Sequence, residues 1–443
     1  MPLFLNSSLQ AALNLTDTWF IARISPVALA AIAAIHWIIL GVILLSGGVA
    51  IAVQTFAAQS FGAGRYRRAS AAAWNGAWAA VLIAPLLVAL GWSGALWLPH
   101  IGLEPAVATL AVEYWWPRCA GAGLGLILWS ANSFFNGTSQ VRVTLLINLV
   151  VTASNALFNE LLMFRLDWGI AGAAWATNLA QAVGIVLAFG WLLWSPRLRA
   201  RYATHLTWRF RPRLVWPLVV IGLPIGLSIS FDLLGLAAFQ LIMTRVGIIE
   251  GAATQVVMML TSIAFMPGIG LCMAGTTLVG QSIGAGSRLW AWRVGSRVIL
   301  LSTLYMGGVG FLIALGGPVM VPWFAGDGPD AERLIALGCA LLWIAACYQL
   351  FDGAQLGCSF CLRGAGDTRF LAVVLFVLVW TVYLPLTHWL TFAPGTGIVP
   401  WLGGLGAGAA GGWWAAVVYV GLLAVAYLWR WRSGRWMRRP TAR

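Results

Sequence analysis

The chain has no lysine: all 26 of its basic residues are arginine, set against only 12 acidic ones. Charge of either sign is scarce, at 9% of 443 residues, while hydrophobic residues reach 61%. This excludes an ordinary set of water-soluble domains, because most segments are apolar on every face and need lipid or protein around them. No basic stretch precedes the first apolar run and no soluble domain follows it, so a cleavable signal peptide is not expected. Catalytic signatures are missing as well. There is no His-Glu-x-x-His, no Gly-x-Ser-x-Gly and no phosphate-binding loop, so neither a catalytic set nor a cofactor can be named. The six cysteines lie within or at the ends of apolar runs, where a thiol acts as a small hydrophobe. Cys358-x-x-Cys361 has the spacing of half a zinc or redox motif, but no second pair or histidine cluster accompanies it.

What is there is hydrophobic length. Apolar stretches of about 20 residues, enough to cross a bilayer, recur twelve times. Their expected limits are 2–22, 28–53, 70–96, 107–133, 143–164, 170–194, 215–243, 251–275, 292–317, 334–360, 370–391 and 407–429. The arginines then assign sides. Twenty-one fall on even-numbered connections or the C-terminal tail, and four (Arg23, Arg165, Arg245, Arg333) on odd-numbered ones; Arg118 lies inside the fourth span. By the positive-inside rule both termini are cytoplasmic. The net charge of +14 therefore reads as membrane flanks rather than a nucleic-acid surface. Six arginines in 197–213 and six in 430–443 border apolar spans, the latter beside Trp429, Trp431 and Trp436 as at a lipid headgroup interface.

The pattern repeats. Ala58-Gln-Ser-Phe-Gly-Ala-Gly64 recurs as Gly280-Gln-Ser-Ile-Gly-Ala-Gly286, displaced by 222, and the same displacement superimposes Pro2 on Pro224 and Arg23 on Arg245. Gly137-Thr-Ser-Gln-Val-Arg142 meets Gly364-Ala-Gly-Asp-Thr-Arg369 at 227, and Gly169-x-x-Gly172-x-x-Trp175 meets Gly408-x-x-Gly411-x-x-Trp414 at 239. The growing displacement places insertions near 318–333 and 392–406. Six spans per half is an even number, so both halves enter from one side as parallel repeats about an axis along the membrane normal. The expected fold is all-α and membrane-integral: residues 1–196 as one six-helix lobe, 197–213 as a basic linker, 214–430 as a second lobe and 431–443 as a tail. Two facing bundles suit a rocking transporter better than a pore with a filter. The Gly-Ala-Gly segments carry no following lysine, so they read as tight helix–helix turns with φ > 0 at glycine.

Within this apolar background Asp17 is anomalous. It is the one charge in Leu3–Ile21, where a carboxylate costs about 2.5–3.5 kcal/mol or more if the run spans a bilayer. Asn14 lies i, i+3 from it, and Asn155 and Asn159 are an i, i+4 pair, so each pair shares a helix face. Asp17 and Asn159 both fall in the outer halves of their spans.

These residues resemble the MATE family, the multidrug and toxic compound extrusion transporters. The resemblance is carried by Asn14-Leu-Thr-Asp17-Thr18 with Arg23, the turns after Gln59 and Gln281, Pro267-Gly-Ile-Gly270, and Arg363-Gly-Ala-Gly-Asp-Thr-Arg369. They run in family order over nearly the whole chain, and the acid in span 1 is most like the DinF-like branch. The resemblance implies a V-shaped pair of bundles and antiport: an organic compound leaves the cytoplasm as H⁺ or Na⁺ enters. It implies a cation site at Asp17, Asn155, Asn159 and Thr177, with Na⁺ an alternative ligand of those positions. It also implies a cytoplasmic lead-in before Pro2. Where many relatives carry a second aspartate this chain has Asn159, followed by Glu160; a single carboxyl suits H⁺ better than Na⁺.

Further polar residues are candidates for a substrate cavity. Asp232 in span 7 and Asp352 in span 10 match acids of another branch of the family, and Gln349, Asp352 and Gln355 share one face. The alternative for Asp232 is a static pair with Gln240 or Gln255 that holds helices together. Gln255, Met259, Ser262, Met266 and Met273 form a stripe on span 8; flexible thioethers suit varied lipophilic cations, and ordinary packing explains the stripe too. His36 could tune Asp17, but a core histidine bonded to a backbone carbonyl is the more ordinary reading, as for His388. Asp327-Gly-Pro-Asp330 with Glu332 reads as a solvated outer turn. The expected function is export of cationic or lipophilic compounds by a monomer in the inner membrane. A lipid or amphiphile flippase on the same fold is the alternative, and a membrane-embedded enzyme has no support.

Overall fold

The computed structural model describes residues 16–17, 19–21, 23–100, 103–325, 330–399 and 404–438. Secondary structure among them is entirely helical. Eleven long helices follow one another: α1 Pro26–Gly62, α2 Tyr66–Trp97, α3 Pro105–Gly137, α4 Val141–Asn159, α5 Gly169–Trp194, α6 Pro212–Val246, α7 Ile248–Gly284, α8 Arg288–Leu315, α9 Ala331–Gly364, α10 Thr368–Thr391 and α11 Gly408–Arg432. Ten are long and apolar enough to cross a membrane; these do not include α3, whose middle carries Glu113 and Arg118. The protein is therefore a multi-pass membrane protein. Of the first expected span, residues 16–17 and 19–21 are helical; Pro2 and Asn14 lie outside the described residues, as does Asp327.

Spans 2 to 12 of the sequence correspond to α1–α11, but α1 and α7 each run nine residues past their expected ends at 53 and 275. Those extensions contain Gln54, Thr55, Gln59, Thr276, Thr277 and Gln281. Hydropathy alone ends the span at these polar groups; the helices continue because neighbouring helices, rather than lipid, cover them. Each extension closes on a glycine in the left-handed region, Gly64 at φ 70° and Gly286 at φ 81°, as expected for tight turns.

The apolar core is partitioned along the chain. One cluster gathers residues from Phe239 to Trp436, around Val257, Leu341, Val379 and Leu423. Two others draw on the first part of the chain, around Phe134 and Phe135 and around Ile35 and Trp115, with Leu218 and Ile225 of α6 joining the former. The two halves of the chain come together where α1 crosses α6. A Cβ on Gly48 would meet the backbone of Gly222 and Gly226, and one on Gly226 would meet that of Leu45, so only glycines permit this approach.

The basic stretch after α5 is strapped down. It forms a short helix, Pro196–Tyr202, and then runs along α2. Trp74 Nε1 donates to Thr204 O (3.0 Å), Trp78 Nε1 to Trp208 O (2.7 Å), and the backbone N–H of Arg211 to Asn75 Oδ1 (2.7 Å). Arg201 donates to Tyr66 Oη at 2.8 Å and stacks on the Tyr66 and Phe61 rings.

At the other end of the chain, Arg430 in the last turn of α11 donates to Asp367 Oδ2 at 2.7 Å, with the Asp367 side chain fully buried. Removing one partner of such a pair leaves the other charge buried, a loss of about 3–5 kcal/mol. Arg430→Met is therefore expected to lower the melting temperature of the purified protein well below that of Arg430→Lys; equal melting temperatures would remove the pair from the account of stability.

Candidate functional site

Asn155 and Asn159 sit one turn apart at the end of α4, fully buried on one face. The hydrogen-bond ladder widens there: residues Glu160–Arg165 continue as a π-turn, a departure that frequently marks functional positions. α5 returns antiparallel and brings Thr177 alongside, and the helical residues around Asp17 complete the pocket.

The four side chains make a closed set of hydrogen bonds. Asn159 Nδ2 donates to Asp17 Oδ1 at 2.7 Å and to Asn155 Oδ1 at 3.2 Å, using both amide hydrogens. Asn155 Nδ2 donates to Thr177 Oγ1 at 3.4 Å. The Thr177 hydroxyl has one hydrogen and two acceptors in reach, Asp17 Oδ2 at 3.4 Å and Ala173 O at 3.1 Å, so it can serve the carboxyl or the helix backbone. Asn159 Oδ1 is buried without a partner. If Asp17 takes up a proton, rotation of the Asn159 and Asn155 amides together gives its O–H an acceptor. Asn159 Oδ1 then accepts from Asp17 and from Asn155 Nδ2, and Thr177 Oγ1 can donate to Asn155 Oδ1, so the ring can hold the carboxyl in either state. The pocket thus brings together Asp17, Asn155, Asn159 and Thr177.

Sequence reasoning missed α3 as a wall of this pocket. Asn178, next to Thr177, donates to Pro117 O at 2.7 Å, and a Cβ on Gly121 would collide with the Asn178 amide, so α3 and α5 are in close contact there. This sets Arg118 beside the site, where its charge acts on Asp17 and where its Nη1 is buried without a hydrogen-bond partner. A basic residue in mid-span was the available signal, with Tyr114 one turn before it on the same face.

In the second half of the chain a different polar group forms. Asp232 on α6 accepts a hydrogen bond from Tyr419 Oη of α11 at 3.3 Å. Gln240 instead donates to Gly251 O at 3.4 Å and Gln255 is exposed, so neither is the partner of Asp232. The tyrosine was overlooked because 187 residues separate it from its aspartate. Gln349, Asp352 and Gln355 are all buried, on the shared face that their spacing predicts; Gln349 Nε2 donates to Thr261 O at 2.9 Å and Asp352 Oδ2 has no hydrogen-bond partner. Tyr383 stacks on Tyr419 at 4.5 Å, and Trp413 meets Tyr348 edge-on at 6.2 Å. Met259 is exposed and Met266 half-buried, so the α7 stripe is open at its Gln255 end rather than packed.

Two expectations are corrected. His36 is exposed, its ring edge-on to Trp37, and is not a core histidine. The reason is that α1 is apolar all round, so its sequence does not say which face turns inward. His388 is buried, but its Nε2 accepts from the Val399 N–H at 3.0 Å instead of bonding a carbonyl. Cys358 and Cys361 are fully buried, and Cys361 Sγ approaches Gly295 O at 3.7 Å.

A family model described as MatE matches residues 2–161 and 224–389, two segments whose starts differ by the repeat displacement read from the sequence. The chain is 30% identical over 450 residues to a probable multidrug resistance protein NorM of Rhizobium meliloti (strain 1021), covering 98% of this chain and 91% of that one. It is 30% identical over 417 residues to a protein of the same description from Mesorhizobium japonicum, covering 91% and 88%. Among solved structures, a MATE in complex with MaL6 superimposes with TM-score 0.87 at 18% identity, covering 99% of this chain and 95% of that one. An outward-facing multidrug resistance MATE transporter of the MOP superfamily superimposes with TM-score 0.84 at 18% identity, with the same coverage. Matched by the family model in both halves and by relatives end to end, the chain belongs to the MATE family of membrane transporters.

Proposed function

We propose that this transporter is an antiporter that exports organic, mainly cationic or lipophilic, compounds from the cytoplasm in exchange for H⁺. The observation that carries the reading is the closed ring of neutral donors around the single carboxyl of Asp17. A proton needs one carboxyl and nothing more. A hard cation needs a shell of oxygen atoms, and here both Asp17 oxygens face donors and Asn155 Oδ1 is already engaged, which leaves Asn159 Oδ1 as the one unpartnered side-chain oxygen of these four residues. In this reading residues 1–196 and 214–430 are two six-helix lobes, with twelve spans in all. Residues 197–213 and the tail lie on the cytoplasmic side of the inner membrane, as the arginine distribution favours. The lobes rock about the centre and expose the cavity to one side at a time.

The second half supplies a complementary role. Exposed Asp232 and buried Asp352, with Tyr348, Tyr383, Tyr419 and Trp413 around them, form an acidic and aromatic wall of the kind that attracts organic cations. Multidrug resistance, part of the names of the NorM relatives, fits that chemistry.

Proteoliposomes with separately imposed gradients test this. A pH gradient alone is expected to drive accumulation of a fluorescent lipophilic cation, and a Na⁺ gradient alone is not. Driving by Na⁺ alone would transfer the ring to that ion, and the absence of either effect would sink the antiport reading.

A further inference from the structure

The ends of α1 and α7 that hydropathy failed to reach hold a set of bonds between the two halves of the chain. Thr55 Oγ1 donates to Arg363 O at 2.9 Å, and Gln59 Nε2 donates to Gly364 O at 3.0 Å. From the other half, Thr277 Oγ1 donates to Asn136 O at 3.1 Å, and Gln281 Nε2 donates to Gly137 O at 2.9 Å. The displacement of 222 relates Thr55 to Thr277 and Gln59 to Gln281; the displacement of 227 relates Asn136 to Arg363 and Gly137 to Gly364. The four bonds are therefore two copies of one pair, exchanged across the pseudo-two-fold axis.

Their acceptors have a common character. Gly137 ends α3 and Gly364 ends α9, so the carbonyls of 136–137 and 363–364 belong to final helical turns, beyond the last donors of their own ladders; Asn136 O and Arg363 O also accept turn N–H groups, from Ser139 at 3.2 Å and Gly366 at 2.9 Å. Each half of the chain thus caps a helix C-terminus of the other half. Three of the donors are shielded, Thr55 at 1%, Thr277 at 5% and Gln59 at 7% exposure, and Gln281 is half-buried. Gln54 Nε2 reinforces the set by donating to Thr277 Oγ1 at 3.0 Å and to Met273 O at 3.2 Å, and Gln281 Nε2 also donates to Ser139 Oγ at 2.9 Å.

We propose that Thr55, Gln59, Thr277 and Gln281 are positioning residues that hold the arginine-rich mouth of the transporter shut by reciprocal capping, and that this mouth opens by breaking both copies together. The proposal rests on the alternating-access reading above. Side-chain amides and hydroxyls bonded to backbone carbonyls suit this task. When the mouth opens, water replaces each partner, so closed and open states differ by a modest free energy and can interconvert. Because the two copies are equivalent, neither half can swing away while the other copy stays capped.

The test reads conformation rather than transport, so it can fail while antiport stands. Spin labels on Arg67→Cys and Leu289→Cys, both exposed beside the turns, report the width of the mouth in a chain whose exposed Cys347 is replaced by serine. Gln59→Ala and Gln281→Ala are each expected to raise the wide-mouth population about fivefold, and the double variant on the order of thirtyfold, from the usual net worth of a hydrogen bond. Thr55→Val and Thr277→Val delete the hydroxyl at nearly constant volume and are expected to act in the same direction. They keep the question open to measurement should the glutamine variants fail to fold. Unchanged distance distributions in the folded variants would overturn the proposal. So would a response confined to one half, which would make the other copy mere packing.

Discussion

Asp17→Asn is expected to abolish H⁺-driven export while leaving the folded protein at least as stable as before. The substitution is isosteric. The new side-chain amide can still accept from Asn159 Nδ2 through its oxygen, and its nitrogen can donate to Thr177 Oγ1, so the ring of bonds described for Asp17 closes again. What disappears is the ability to exchange a proton. Removal of an ionisable group from the membrane interior also removes a cost of about 2.5–3.5 kcal/mol whenever the group is charged, so the melting temperature should hold or rise. The measurement is export under an imposed pH gradient, paired with a thermal melt of the same preparation. Asn159→Ala should behave differently: it removes the 2.7 Å donor from a fully buried position and leaves the carboxyl poorly held, so both stability and transport decline. Full export by Asp17→Asn, together with loss of export in Asp352→Asn, would move the coupling carboxyl to the second half of the chain.

The contrast between these halves shows what sequence can and cannot convey. Asp17 stood out because a charge in an apolar run is costly, and Asn155 with Asn159 because a four-residue spacing fixes a common face. Both inferences use only local helical geometry, and the pocket contains all three residues. The repeat was legible for a similar reason, since glycine turns with φ > 0 restrict residue choice and so leave a recurring mark at Gly64 and Gly286. Relations between distant segments were not legible. Tyr419 finds Asp232 across 187 residues, and Arg118 is brought to Asp17 by an Asn178 bond to a backbone carbonyl. A carbonyl is present at every position, so an interaction that ends on one leaves no residue type to notice. The capping bonds at Asn136, Gly137, Arg363 and Gly364 were hidden in the same way. His36 was misjudged because α1 is apolar on all sides: without an amphipathic stripe, nothing in its sequence distinguishes inside from outside.

A side chain at Gly62 or Gly284 is expected to have a still larger effect on the mouth than loss of any one capping bond, because it acts through steric exclusion. A Cβ on Gly62 would fall inside the van der Waals envelope of the Gln281 carbonyl, and one on Gly284 would do the same to the Gln59 carbonyl. The displacement of 222 relates these two contacts as well. The obstacles are backbone atoms in helical segments, which cannot rotate away as a side-chain tip can, so the helices themselves must separate. Separation would carry Gln59 and Gln281 out of reach of their carbonyls, and the bonds at 3.0 and 2.9 Å would be lost together with the packing. Gly62→Val and Gly284→Val should therefore insert and fold but remain wide at the arginine-rich mouth, with export falling to background. Gly64→Ala serves as the comparison: its added Cβ would meet nothing within 4 Å, although the φ of 70° makes the backbone strained. It should cost about 1 kcal/mol of local stability and leave the mouth able to close. The same pair of spin labels at positions 67 and 289 distinguishes the cases. A narrow, native-like distance in Gly62→Val would show that α1 and α7 do not need this close approach, and that closure is set elsewhere along their length.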